Sequence, residues 1–243
     1  MKSLFALLLI LMFTPAAQAT GDHVTYQIDG KLYEGYYVSP SAGAPFVLLL
    51  HDWDGLTEYE IKRADLLAEA GYAVFAADLF GKEIRPTEDT DKRRHTGELY
   101  SDRRKMRRLM IGAMDAAISR GANINNAVAM GYCFGGAAVL ELARSGAPLK
   151  GFVTFHGGLA TPEGQDYSKT RGRVLVFHGE ADTAITMEDF EQLQSELEHS
   201  GVKHDMITYE GAPHGFTEFG SERYREEADR ASWERFLEFL EES

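Results

Sequence analysis

The chemistry of this sequence gathers on one thiol. Cys133 is the single cysteine among 243 residues, and it lies in the run GYCFGG, residues 131–136. Gly131 and Gly135 stand two before and two after it. A nucleophile on a sharp turn needs that spacing, because side chains at those positions would collide across the turn. Such a turn lifts the sulfur clear of its strand and aims it at the N-terminus of the following helix. There the helix dipole and free N–H groups favour a thiolate. The plainer reading is a small buried cysteine in a Gly-rich junction, and the paired glycines weigh against it.

A thiol nucleophile needs a base, and the base needs an acid to orient it. Of eight histidines, His214 lies in EGAPHGFTEF, a Gly/Pro-rich loop suited to reaching across to another element. Asp182 lies in VLVFHGEADTAIT, just past an apolar run. It sits deeper in its loop than Glu180 and is the better acid. The order Cys133, Asp182, His214 is one in which nucleophile, acid and base are known to occur. His51, His156 and His178 each follow an apolar run and so gather at one sheet edge. They have no H-x-x-x-H or comparable metal-ligand spacing, and they read as hydrogen-bonding groups that shape the loops. His23, His95, His199 and His204 fall in peripheral segments.

The elements that must position these groups follow from hydropathy. VTYQIDGKLYEGYYV alternates about Asp29-Gly30, which marks an antiparallel hairpin over 24–37. Short apolar runs then recur at Phe46–Leu50, Ala73–Ala77, Ala127–Met130, Phe152–Phe155, Val174–Phe177 and, more weakly, Met206–Tyr209. Continuous hydrophobicity of this kind suits strands covered on both faces. Helical spacing appears over about 58–70, 102–119 and 222–241. On the last of these Tyr224, Ala228, Trp233, Phe236, Leu237 and Leu240 share the apolar face. The pattern predicts one α/β domain, a mostly parallel sheet with helices on both faces. The polar segment 81–101 is expected to be an irregular surface excursion able to overhang a site. It runs into a basic cluster at Lys92, Arg93, Arg94, Arg103, Arg104, Lys105, Arg107 and Arg108, read as a solvated helix face in preference to an acidic-ligand patch.

The first nineteen residues, MKSLFALLLILMFTPAAQA, have the three parts of a secretory leader, with a cut expected after Ala19. Its apolar run is short for a bilayer span, so the mature domain, 20–243, is expected in a periplasm or outside the cell with no membrane span. The formal net charge of −13 argues against nucleic acid or an anionic membrane as partner. One cysteine allows no internal disulfide.

HDWDGL, GYAVFAADLFG, GYCFGG, HGEADTAIT and PHGF, in that order, resemble the dienelactone hydrolase family of α/β-hydrolases over nearly all of residues 24–240. The resemblance implies an α/β-hydrolase fold, no cofactor, and a Cys–His–Asp triad at Cys133, His214 and Asp182. It also implies an oxyanion hole from the backbone N–H groups of Phe134 and Trp53. The expected activity is hydrolysis of small esters, lactones or thioesters through an acyl-enzyme. A binding or thiol-redox-responsive protein on the same fold is the alternative. Asp52 stands where the family's namesake enzyme has a glutamate that holds the resting thiol. Lys82 and Glu218 stand at or near the two arginines that grip its substrate's carboxylate, and an acid at 218 disfavours such a substrate.

Overall fold

A computed structural model of the chain describes residues 21–243; the expected leader over 1–19 lies outside the described residues. The hairpin forms where the alternation places it. β1 (Asp22–Ile28) pairs antiparallel with β2 (Lys31–Val38). Asp29 and Gly30 take φ of 50° and 80°, the doubly left-handed turn that matches the twist of two strands.

Strands and helices then alternate. β3 (Pro45–Leu50), α1 (Glu58–Glu69) and β4 (Ala73–Ala77) are followed by α2 (Asp89–Ser101) and α3 (Arg103–Ser119). β5 (Asn123–Tyr132), α4 (Phe134–Arg144) and β6 (Gly151–Phe155) follow without a second helix before β7 (Arg173–Gly179). α5 (Met187–His199), β8 (His204–Tyr209) and α6 (Glu226–Glu241) complete the chain. All eight strands form one sheet in the order β1-β2-β4-β3-β5-β6-β7-β8. Every pairing from β4 to β8 is parallel. β4 and β6 are buried at every position, as strands covered on both faces must be.

Two apolar layers sandwich the sheet. Ala64 and Leu67 of α1 and Phe236 of α6 pack with Val47 and Val153 on one face. Met110 of α3, Leu140 of α4 and Leu193 of α5 pack with Leu48 and Phe152 on the other. On α6 the buried face includes Ala228, Phe236 and Leu240 as expected, together with Phe239. Trp233 and Leu237 are only half-buried, and Tyr224 precedes the helix. No helix among the described residues is long and apolar enough to cross a membrane.

Segment 81–101 departs from its expectation, since most of it is α2. The helix buries only Thr96 and Leu99, so apolar periodicity is too sparse to reveal it. Polar contacts hold it down instead. Lys92 Nζ lies 2.7 Å from Asp54 Oδ1. The basic cluster is largely spoken for within the fold: Arg107 Nε lies 3.0 Å from the fully buried Glu141, and Arg108 Nε lies 3.2 Å from Asp29.

Register places the chemistry. Leu50 pairs with Gly131, Gly131 with Thr154, and Thr154 with Val176. The residues that follow these strands therefore leave the sheet along one edge.

Candidate active site

At that edge β5 ends at Tyr132 and α4 begins at Phe134, leaving one residue for the turn. Cys133 takes it with φ 48° and ψ −112°, a backbone conformation that a non-glycine residue holds only under constraint. The glycines supply the room. A Cβ on Gly131 would lie 2.3 Å from the carbonyl carbon of Gly135, a collision across the turn as expected. A Cβ on Gly135 would instead meet Leu50 O at 2.2 Å and His51 O at 2.6 Å. Gly135 thus lets the exit of β3 close against the start of α4. Gly136 is required too, because its Cβ would fall 2.2 Å from Thr154 Oγ1 on β6.

The three residues singled out from the sequence meet. His214 Nε2 lies 3.1 Å from Cys133 Sγ, and His214 Nδ1 lies 2.8 Å from Asp182 Oδ2. The other carboxylate oxygen of Asp182 accepts from the backbone N–H groups of Ala184 and Ile185, each at 2.9 Å. Burial opposes charge on His214. The hydrogen bonds to Asp182 and Cys133 outweigh it and push the imidazole up to about 10. Burial likewise works against the Asp182 carboxylate, and the bond to His214 outweighs it and holds that group below its ordinary value. Glu180 turns away to accept from Thr208 Oγ1 at 2.7 Å.

Around the thiol lies a cavity of about 460 Å³, lined in part by Asp52, Trp53, Phe134 and Glu218. Phe134 opens α4, so its N–H has no helical carbonyl to meet. Trp53 belongs to the loop that Gly135 admits, and its ring is covered by Lys92 Nζ at 5.0 Å and Arg93 Cζ at 5.6 Å. α2 adds Arg93 and Tyr100 to the lining, so the excursion does border the site, as a helix. Burial, and after it the electrostatic influence of the neighbouring Cys133, pushes the Tyr100 phenol up, which keeps it a hydrogen-bond donor.

The three residues assigned to substrate or thiol contact divide. Asp52 lines the cavity with its carboxyl raised, chiefly by burial and then by the neighbouring Glu60. Its Oδ1 accepts from Asp54 N–H at 2.8 Å; the partner of the Cys133 sulfur is His214. Glu218 borders the cavity too, but Arg223 Nη2 lies 2.5 Å from its Oε2. The repulsion expected of an acid at 218 is therefore offset by a cation five residues on, which no motif in the sequence flags. Lys82 does not reach the cavity: its Nζ lies 3.1 Å from Thr25 Oγ1 and 3.4 Å from Glu34 Oε2, on the hairpin.

Two of the three edge histidines shape loops. Leu79 N–H donates to His51 Nε2 at 3.0 Å, leaving His51 Nδ1 to donate to Asp52 O at 2.6 Å. His156 Nε2 lies 2.8 Å from Thr217 Oγ1. His178 has no partner at either ring nitrogen and stacks on Phe190 with centroids 5.5 Å apart. No group of three or more His, Cys, Asp or Glu among the described residues could hold a metal ion.

The sequence profile of the dienelactone hydrolase family matches residues 33–243. The chain belongs to the dienelactone hydrolase family. A solved dienelactone hydrolase-like promiscuous phosphotriesterase from metagenomic libraries is 30% identical, with a TM-score of 0.86 over 93% of this chain and 99% of that one. A dienelactone hydrolase from Anabaena variabilis shares the fold at a TM-score of 0.67 and 18% identity, over 93% of this chain and 99% of that one. A protein of Synechocystis sp. with the provisional name carboxymethylenebutenolidase is 25% identical over 224 residues, 85% of this chain and 90% of its own length. The α/β-hydrolase architecture of the family is the one the eight strands build.

Proposed function

We propose that this dienelactone hydrolase family member is an exported hydrolase of small esters, lactones or thioesters that uses Cys133 as its nucleophile. The observation that carries the reading is the contact series Cys133 Sγ, His214 Nε2, His214 Nδ1, Asp182 Oδ2, at 3.1 and 2.8 Å, on a constrained turn facing a cavity. The sulfur, as thiolate paired with the imidazolium of His214, attacks the substrate carbonyl carbon. The oxyanion is received by the N–H groups of Phe134 and Trp53. As the intermediate collapses, Nε2–H passes its proton to the leaving alkoxide, and the acyl group stays on sulfur. A water then gives a proton to the freed Nε2 and attacks the thioester, and the thiolate leaves to re-form the resting pair. Asp182 fixes the imidazole with Nδ1–H throughout.

Turnover of p-nitrophenyl acetate tests this. Cys133→Ala is expected to fall to the background rate while the protein stays folded; retained turnover overturns the assignment of the nucleophile, and a wild type that turns over no ester favours a binding role. Export is tested by fractionating a bacterial host: the mature chain is expected outside the cytoplasm with Thr20 at its N-terminus. Neutral phosphotriesters form a second substrate class, favoured by the similarity to the metagenomic phosphotriesterase. Hydrolysis of p-nitrophenyl diethyl phosphate, lost in Cys133→Ala, is its measurement.

A further inference from the structure

His51 is fully buried just past β3, and the proposed hydrolysis uses neither of its ring nitrogens. Both nitrogens are nonetheless bonded, and both partners are backbone groups whose roles are fixed. The Leu79 N–H can only donate, and it meets Nε2 at 3.0 Å. The Asp52 carbonyl can only accept, and it lies 2.6 Å from Nδ1. The ring proton is therefore on Nδ1. We infer that His51 is a positioning residue for the oxyanion hole, because the carbonyl it grips belongs to the peptide whose N–H is that of Trp53. The inference rests on the oxyanion role proposed for that N–H.

The peptide joining Asp52 to Trp53 is trans, and such a unit is planar, with its C=O and N–H directed oppositely. Anchoring the oxygen on a buried ring therefore turns the N–H away from the core, and Trp53 lines the cavity. The amides on either side are engaged. Asp52 N–H faces Glu60 Oε1 at 3.5 Å, and Asp54 N–H donates to Asp52 Oδ1 at 2.8 Å. Among the described residues the Trp53 N–H has no acceptor, which leaves it for a ligand oxygen. A hydrogen bond at the carbonyl also polarises the amide and makes its N–H a stronger donor.

The ring is itself held in place. It meets Phe80 edge to face, with centroids 4.6 Å apart, and tilts against Phe134 at 6.0 Å. His51 thus packs on the side chain of the second oxyanion donor while bonding the peptide of the first. Its anchor at Leu79 is braced by the fully buried Asp78. Asp78 Oδ1 accepts from the Phe80 and Gly81 N–H groups at 2.9 Å each, and Oδ2 from Glu34 N–H at 3.1 Å. A second ring proton would have to sit on Nε2, against the Leu79 N–H. Burial, aided by Arg85, outweighs the Asp52 carbonyl and the Asp78 and Asp54 carboxylates and holds the imidazole down at about 4.

Two rates at the same sulfur separate the oxyanion hole from the thiol. Alkylation of Cys133 by iodoacetamide follows the thiolate and forms no oxyanion, whereas turnover of p-nitrophenyl acetate forms one. In His51→Leu, which makes neither bond, kcat is expected to fall about ten- to a hundredfold with KM little changed. Alkylation is expected to stay within about twofold of wild type. His51→Gln is expected to recover most of kcat, since its amide can accept from Leu79 N–H and donate to Asp52 O. Unchanged kcat in His51→Leu overturns the inference. So does alkylation that falls as far as kcat, or a His51→Gln no more active than His51→Leu. The wild-type protein supplies a measurement that stands even where a variant fails to fold. Long-range 1H–15N spectra are expected to show His51 protonated at Nδ1 and accepting at Nε2 at neutral pH, and a proton on Nε2 overturns the inference. Failure of the hydrolase reading shows separately, as a wild type that turns over no ester or a Cys133→Ala that does, and takes the inference with it.

Discussion

At the scale of single residues, the resting state proposed for the site is an ion pair, and its pH behaviour follows from His214. The imidazole is pushed up to about 10, so the proton needed by the leaving group is present at neutral pH and is lost as the pH rises through that value. A descending limb of kcat/KM near pH 10 is the expected outcome. In Asp182→Asn, with the orienting carboxylate gone, that limb moves to lower pH and kcat falls on the order of a thousandfold. Stability carries the same sign. A histidine whose pKa is raised on folding contributes stability that is whole below about pH 6.5 and is lost as the pH climbs through the folded value. Urea denaturation of wild type and His214→Gln should therefore differ most near pH 6 and converge above about pH 10. A gap that widens with rising pH contradicts the ion pair.

At the scale of elements, the turn between β5 and α4 and the helix α2 make different demands. Gly135 sits where a methyl group would strike Leu50 O and His51 O, both backbone atoms that cannot swing aside. Gly135→Ala is expected to cost about 1–3 kcal/mol of stability, read by thermal melting. Turnover should fall much further, because the loop bearing Trp53 is pushed off α4. Lys92→Met tests the clasp from α2. It should cost under about 1 kcal/mol, as a surface ion pair does, yet lower kcat about tenfold by freeing the loop that carries Trp53. Equal and small losses in both variants would detach Trp53 from the chemistry.

These two elements also mark what a reader of the sequence can and cannot see. The turn was legible because glycine spacing, a preceding apolar run and a following helix-forming run are all local. The meeting of Cys133, Asp182 and His214 was legible because each follows a strand, and parallel strands bring their ends to one edge. α2 was not, because a helix held by Lys92 and Asp54 leaves no apolar stripe. The Arg223–Glu218 pair was not, because a loop's internal pairing leaves no periodicity. The motif around Lys82 points it toward the substrate, and its chain runs to Glu34 on the hairpin instead.

At the scale of the whole molecule, the ion pair of Arg63 and Asp229 ties the site to both ends of the fold. Arg63 Nη2 also donates to Thr217 O at 2.8 Å, so the pair joins α1, the loop of His214 and α6 on one face of the sheet, with side chains 2% and 8% exposed. Phe219 and Trp233 lie against the guanidinium at 4.1 and 5.1 Å. Leaving that guanidinium buried without its carboxylate is costly, so Asp229→Asn is expected to lose about 3–5 kcal/mol in urea denaturation. Any surviving folded fraction should turn over slowly. Full stability in the variant would remove the link between α6 and the site.

The thiol has one more property, that of number. A chain with a single cysteine, partly exposed and lining its cavity, accepts one equivalent of a thiol reagent and no more. A slowly reacting alkylator therefore counts competent molecules in any preparation, and a substrate that shields the sulfur announces itself by slowing the count. The protein comes with its own gauge, readable before its substrate has been identified.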